Sequence, residues 1–170
     1  ISINVSRIHF YGKELQSKLE ELLKHYQLEP KDIELEVTET ICATDSQVFL
    51  EICSNLCKAG FTIAMDDFGS GYSSLNMIND LPVDVLKLDM AFVRAAFRDE
   101  KDTGMLRIII DIGRYLGVPV IAEGVETLEQ METLRKLGCD YIQGYYFSKP
   151  LALDDFIKLA EKSRVKKNAD

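Results

Sequence analysis

Strand-like and helix-like segments alternate along the whole chain, and this alternation limits the possible folds more than any other feature. Short apolar runs with the length of strands are separated by stretches in which apolar residues recur at helical spacing. Such alternation is typical of a parallel sheet, either doubly wound or closed as a (β/α) barrel. Six strands are predicted at residues 1–6, 33–38, 61–66, 83–89, 118–123 and 141–147.

Helices are predicted between and after these strands. Gly60, Gly117 and Gly138 each precede a predicted strand, where a glycine commonly ends a helix. A closed barrel of this type has eight strands, so a barrel would lack about two βα units. Because the chain opens within a predicted strand, the loss is expected at the N-terminus. The predicted helices lie around residues 15–26, 48–56, 105–116, 128–137 and 156–161.

The chain is interpreted as one domain. Its 170 residues with 46% hydrophobic content suffice for a single core. Residues 1–163 are assigned to six C-terminal βα units and residues 164–170 to a polar tail. The net charge of -8 disfavours a DNA partner and anionic membranes. No apolar stretch approaches the ~20 residues of a membrane span.

The cysteines indicate a reducing compartment. The four cysteines include no CxxC pair, which favours the cytoplasm, although a parent protein can be membrane-anchored through other domains. Cys53 and Cys57 lie one helical turn apart, and a place in the core is favoured over a soft-metal pair. His9 and His25 are given no role.

Polar side chains collect at the carboxyl ends of the predicted strands, where parallel α/β sheets and barrels bind ligands. Each alone could be a surface charge or a member of a buried ion pair, such as Lys87 with Asp89 or with a glutamate. Their occurrence on every strand favours a functional site instead. The set comprises Asn4, Glu36, Glu39, Asp66, Asp67, Lys87, Asp89, Glu123, Glu126 and Gln143.

The adjacent aspartates Asp66 and Asp67 indicate a cation at this edge, because neighbouring carboxylates repel each other. Oxygen ligands suit Mg²⁺ or Mn²⁺. A metal cluster near Lys87 and Glu123 indicates hydrolysis, in which the lysine orients the water or stabilises charge and the glutamate takes a proton from the water. The glycine-rich run at 68–75 is interpreted as a loop that moves over the site, or as an ordinary strand-to-helix turn.

Six motifs in order resemble the EAL domain, a bacterial phosphodiesterase family that opens cyclic di-GMP to linear pGpG. The resemblance spans nearly the whole chain and implies a TIM-like (β/α)8 barrel. The motifs are Asn4-Val5-Ser6, Glu36-Val37-Thr38-Glu39, Asp66-Asp67-Phe68-Gly69-Ser70-Gly71-Tyr72-Ser73-Ser74-Leu75, Lys87-Leu88-Asp89, Ala122-Glu123-Gly124-Val125-Glu126-Thr127 and Gln143-Gly144-Tyr145-Tyr146-Phe147-Ser148-Lys149-Pro150.

The resemblance implies a two-metal site that uses Mg²⁺ or Mn²⁺. Asn4, Glu36 and Asp66 match the ligands of the first metal. Asp66 would bridge to a second metal, with Asp67 as its companion.

The resemblance also implies roles for the other strand-end residues. Lys87 matches the catalytic lysine and Glu123 the proposed general base. Glu39 matches the residue that holds the loop at 66–75 in place. Three further residues match active-site positions that contact either the substrate or the metal-binding side chains. They are Asp89, Glu126 and Gln143.

The chain departs from the family pattern in two places. The Glu-Ala-Leu segment that names the family, with its metal-binding glutamate and a nearby substrate-binding arginine, is absent. Met90-Ala91 replaces the more usual Arg-Ser after the Lys-x-Asp motif. We therefore expect the 170-residue chain alone to be inactive.

Three functional hypotheses remain open at this point. The first is that the intact parent is an active cyclic di-GMP phosphodiesterase, with a sensory or GGDEF-type domain attached and a homodimeric assembly. The second is an inactive EAL-like receptor for cyclic di-GMP, or a protein-interaction module. The third is an unrelated metal-dependent barrel enzyme, which would not bind cyclic di-GMP.

Overall fold

The six predicted strands form one sheet in which every neighbouring pair is parallel and the spatial order follows the chain. The computed structural model describes residues 1–12, 14–42, 46–69, 82–98 and 103–167. The strands are β1 (Ser2–Asn4), β2 (Glu34–Thr38), β3 (Thr62–Phe68), β4 (Val85–Leu88), β5 (Val120–Ala122) and β6 (Tyr141–Ile142).

The predicted helices are all present between and after these strands. The last of them continues to Lys167 and so enters the segment interpreted as a polar tail. None of the helices in the described ranges is long and apolar enough to cross a membrane. The helices are α1 (Arg7–Phe10), α2 (Leu15–Tyr26), α3 (Glu39–Cys42), α4 (Ser46–Lys58), α5 (Met90–Ala96), α6 (Thr103–Leu116), α7 (Leu128–Leu137) and α8 (Leu153–Lys167).

The core lies on one face of the sheet, where alternate strand residues are buried among the helices. Because strand side chains alternate between faces, the residues between them point to the opposite face. Cys53 is fully buried in this core, as predicted, and Cys57 packs at its edge. The central buried strand residues are Leu35, Val37, Ile63, Met65, Leu86 and Leu88.

The sheet has two edges, because β1 and β6 each pair with only one neighbour among the described strands. Large apolar side chains are exposed on and after β6, including Tyr141 at 61%, Phe147 at 60% and Phe156 on α8 at 57%. An unpaired edge beside exposed apolar surface is a template for association with another chain.

We therefore predict that the 170-residue chain, expressed alone, self-associates at micromolar concentration. Placing charges at the β6 edge with Tyr141→Lys and Phe156→Lys should reduce association, because charged residues blunt sheet edges. Ile108→Lys on α6, which is 52% exposed, is the control and should have no effect. Sedimentation velocity measures the outcome, and a stable wild-type monomer would contradict the prediction.

Candidate active site

The strand register brings the predicted metal ligands to one face of the sheet. Asn4 on β1 is the direct neighbour of Glu36 on β2. Two residues further along β2, Thr38 is the neighbour of Asp66 on β3. Since residues two apart on a strand share a face, Asn4, Glu36 and Asp66 lie on the face opposite the helices.

Lys87 is the centre of a carboxylate cluster on this face. Its Nζ donates a hydrogen bond to Glu36 Oε1 at 2.6 Å and lies 2.7 Å from Glu123 Oε1. The same nitrogen lies 3.6 Å from Asp66 Oδ1. The Lys87 and Glu36 side chains are only 6% and 8% exposed. One ammonium cannot neutralise three carboxylates, so the cluster keeps a negative charge.

The surroundings of Lys87 keep it protonated. Burial alone would lower the pKa of Lys87, but the hydrogen bonds to Glu123 and Glu36 and the charges of Glu123 and Asp66 outweigh burial and raise it. Lys87 is therefore a cation at neutral pH and cannot serve as a base.

Glu123 is the more suitable proton acceptor in the cluster. Burial raises the pKa of Glu123, and the charges of Asp66 and Glu36 act in the same direction. The hydrogen bond and the charge of Lys87 oppose the rise without cancelling it. A carboxylate with a raised pKa is a stronger base than an ordinary surface glutamate.

A β-bulge re-aims Asp67. The pairing of β3 with β4 shifts register between Met65 and Phe68, and Asp67 has a φ of 56°. This left-handed conformation is uncommon outside glycine, although aspartate tolerates it better than most residues. Burial raises the pKa of Asp67, as do the charges of Asp66 and Asp89. Asp67 therefore belongs electrostatically to the cluster.

Two of the further predicted positions make structural bonds. Asp89 caps helix α5, since its Oδ1 accepts a hydrogen bond from the Phe92 backbone N–H at 2.9 Å. Glu126 Oε1 pairs with Arg94 Nη2 at 2.5 Å. Sequence reasoning missed Arg94, because only the packing of α5 against the loop after β5 brings it to Glu126.

The other two predicted positions lie at the ends of β2 and β6. Glu39 begins α3 and is 5% exposed. Glu39 is also predicted to hold the loop at 66–75 in place. Residues 70–75 of that loop lie outside the described residues. Gln143 has an exposed side chain, and its backbone bonds to Ala122 and Val125 join the end of β6 to the loop after β5.

Met90, one of the departures from the family pattern, packs against Gly124, the residue after Glu123. Gly124 has a φ of 68°, and a Cβ built there would lie 2.1 Å from Met90 Cγ. Any side chain at position 124 would therefore require the Met90 side chain to move.

The donor set fits a hard divalent cation in its chemistry. Asn4, Glu36, Asp66 and Asp67 offer amide and carboxylate oxygens, the ligands that Mg²⁺ and Mn²⁺ prefer. The excess negative charge around Lys87 is the structural observation that favours such a cation. Within the described segments no three acidic, histidine or cysteine side chains form a ready-made metal cage. The Lys87 ammonium stands between Glu36, Asp66 and Glu123.

Comparison with known proteins decides the family. Residues 1–150 match the sequence model of the EAL domain. The chain belongs to the EAL domain family. The structural neighbours are EAL-domain TIM barrels, so the open six-stranded sheet corresponds to six βα units of that barrel, as predicted.

Two curated relatives cover most of the chain but are much longer. MucR of Pseudomonas aeruginosa, a bifunctional diguanylate cyclase/cyclic di-GMP phosphodiesterase, is 36% identical over 157 residues, which are 92% of this chain and 23% of MucR. PdeB of Escherichia coli K12, a probable cyclic di-GMP phosphodiesterase, is 39% identical over 162 residues, 95% of this chain and 30% of PdeB.

Solved structures of EAL proteins superpose well. The cyclic di-GMP complex of the MucR phosphodiesterase has a TM-score of 0.88 at 36% identity, over 92% of this chain and 63% of that one. The manganese and cyclic di-GMP complex of Klebsiella pneumoniae BlrP1 has a TM-score of 0.80 at 32% identity, over 88% of this chain and 38% of BlrP1.

We predict that Lys87→Met, made in the intact protein, lowers the free energy of unfolding by about 3–5 kcal/mol, because it leaves buried carboxylates without their cation. Urea unfolding in the presence of EDTA measures this without interference from bound metal. Adding Glu36→Gln to Lys87→Met should recover part of the loss.

The matched control is Lys18→Met, which breaks an exposed pair with Glu14 whose two side chains are 68% and 75% exposed. This change should leave stability unaltered. Equal effects of the two lysine substitutions would show that Lys87 does not balance a buried negative cluster.

Proposed function

We propose that the intact protein carrying this chain hydrolyses cyclic di-GMP to linear pGpG, with Mg²⁺ or Mn²⁺ as cofactor. The observation that supports this most directly is the convergence of Glu36, Asp66 and Glu123 on the Lys87 ammonium at the carboxyl edge of the sheet. The relatives whose names state this activity add support.

In this proposal Asn4, Glu36, Asp66 and Asp67 hold the metal ions on the open face of the sheet. When bound, the metals lower the pKa of a water molecule and neutralise the phosphoryl oxygens. Two other residues, Glu123 and Lys87, act on the proton of the water and on the negative charge that develops during the reaction.

Glu123 takes a proton from the attacking water as the water oxygen forms its bond to phosphorus. The bond from phosphorus to the 3′ oxygen breaks, and the 3′ oxygen takes a proton from solvent water and leaves as a hydroxyl group. The phosphate stays on the 5′ side, as in pGpG. Lys87, a permanent cation, stabilises the negative charge that grows on the phosphoryl oxygens. We propose that three further residues orient either the substrate or the side chains that bind the metals. These residues are Asp89, Glu126 and Gln143.

We predict that Glu36→Gln and Lys87→Ala in the intact protein each lower kcat/KM for cyclic di-GMP by about 100-fold or more, since each removes a preorganised charge from the site. Chelation with EDTA should abolish turnover and Mn²⁺ should restore it. Chromatographic detection of pGpG measures both effects.

The matched control is Glu34→Gln. Glu34 lies on the same face of β2, two residues before Glu36, and accepts a hydrogen bond from Ser2 Oγ at 2.7 Å. The Glu34→Gln variant should retain wild-type activity. Undiminished turnover in both Glu36→Gln and Lys87→Ala would remove the mechanism.

The alternative is an inactive receptor or interaction module. In the structure Lys87 pairs directly with Glu36, a proposed metal ligand, and a protein that kept this pairing would bind the dinucleotide without cleaving it. Tight binding with no turnover in added metal would favour this alternative. Membership of the EAL family disfavours an unrelated barrel enzyme.

The wider setting is also proposed. The chain covers 23% of MucR, a protein whose name includes diguanylate cyclase, which supports an attached GGDEF-type or sensory domain. We also propose that the intact protein forms a homodimer and lies in the cytoplasm. The 170-residue chain alone is proposed to be inactive.

A further inference from the structure

A cavity of about 290 Å³ opens beside the carboxylate cluster, at the carboxyl ends of β1 and β2. We call it the β1–β2 cavity. Its polar lining residues are Asn4, Ser6, Arg7, Thr38 and Thr40.

This cavity adjoins the catalytic face. Asn4, a proposed metal ligand, lines it directly. Thr38 lies two residues beyond Glu36 on the same face of β2 and is the register neighbour of Asp66. A substrate group held at the cluster is therefore next to any group held in the cavity.

The cavity differs from the cluster in charge. Among the described residues, its lining has amide and hydroxyl groups and the guanidinium of Arg7, and it has no carboxylate. Arg7 is exposed, and its guanidinium forms no ion pair with any residue in the described ranges. Lys87, in contrast, is shared among three carboxylates.

This charge pattern matters for an anionic substrate. A cyclic dinucleotide carries two phosphodiesters, of which one is cleaved and the other must rest near the same site. The cluster around Lys87 is negative and repels a phosphate that no metal neutralises. Arg7 supplies a positive charge in the cavity at the ends of β1 and β2.

We propose that the β1–β2 cavity is the subsite for the phosphate that is not cleaved, with Arg7 as its main ligand. Guanidinium binds phosphate oxygens through two parallel hydrogen bonds, and serine and threonine hydroxyls are common further donors. Among the residues that the structure describes, no aromatic side chain lines the cavity. Ligand pockets measure about 300–1,000 Å³, so this cavity accommodates part of a dinucleotide.

The inference rests on the proposed function, and its test separates the two. In the intact protein, Arg7→Gln should raise KM for cyclic di-GMP about tenfold or more and leave kcat nearly unchanged, as expected when a charged hydrogen bond to substrate is lost. Arg7→Lys should rescue part of the loss because it keeps the charge. Arg107→Gln on the exposed face of α6 should change nothing.

A second substrate distinguishes a subsite from a general defect. Bis(4-nitrophenyl) phosphate has a single phosphodiester, so Arg7→Gln should leave its KM unchanged. Equal loss on both substrates would show that Arg7 acts on the cleaved phosphate or on the fold, and unchanged KM for cyclic di-GMP would also overturn the inference.

The remaining outcomes concern the proposed function itself. A wild-type protein that binds cyclic di-GMP without cleaving it refutes the activity but keeps the subsite testable, with the Kd of Arg7→Gln in place of KM. A wild-type protein that neither binds nor cleaves cyclic di-GMP removes both proposals.

Discussion

The ion pairs of Lys87 with Glu36 and Glu123 are the interaction on which the site depends. Lys87 projects from a strand whose neighbouring residues are fully buried, so its charge has little access to water. Removing an ammonium from water is costly unless opposite charges surround it. Glu36 on β2 and Glu123 directly after β5 supply those charges. The ammonium in turn offsets the cost of burying the two carboxylates.

This constraint links the fold to the chemistry. The parallel register places Asn4, Glu36 and Asp66 on the same face of the sheet. Lys87 meets Glu36, Asp66 and Glu123 there, in a cluster that has more negative than positive charge. A divalent cation would neutralise the excess negative charge, which the single charge of Lys87 cannot do. The same electrostatics raise the pKa of Glu123 and keep Lys87 protonated, so Glu123 is the better proton acceptor of the two.

The alternation of residue types made much of this predictable from the sequence. Glu36 stands between Leu35 and Val37, and Lys87 between Leu86 and Leu88, so strand periodicity placed both charges opposite the core. The sequence also contained a signal that was overlooked, because an aspartate directly before a helical run is a common N-cap, and this is what Asp89 does.

Other features depend on packing that no local pattern encodes. The bulge at Asp67 arises from the way β3 and β4 pair, and the pairing of Arg94 with Glu126 joins residues 32 positions apart. Apolar residues at helical spacing predicted α2 correctly, yet Leu22 and Tyr26 on that helix are 54% and 65% exposed. The spacing of apolar residues predicts that a helix forms. Whether its apolar side chains are buried depends on which neighbouring elements pack against them.

The central claim is that the carboxylates around Lys87 accept a divalent cation and that Lys87 then keeps only part of its pairing. Anomalous diffraction at the manganese edge, on crystals of the intact protein grown with Mn²⁺, tests this most directly. The account predicts a manganese peak in contact with Glu36 and Asp66, with Lys87 still paired to Glu123. The absence of a peak at this cluster, with Lys87 paired to Glu36 as before, would contradict it.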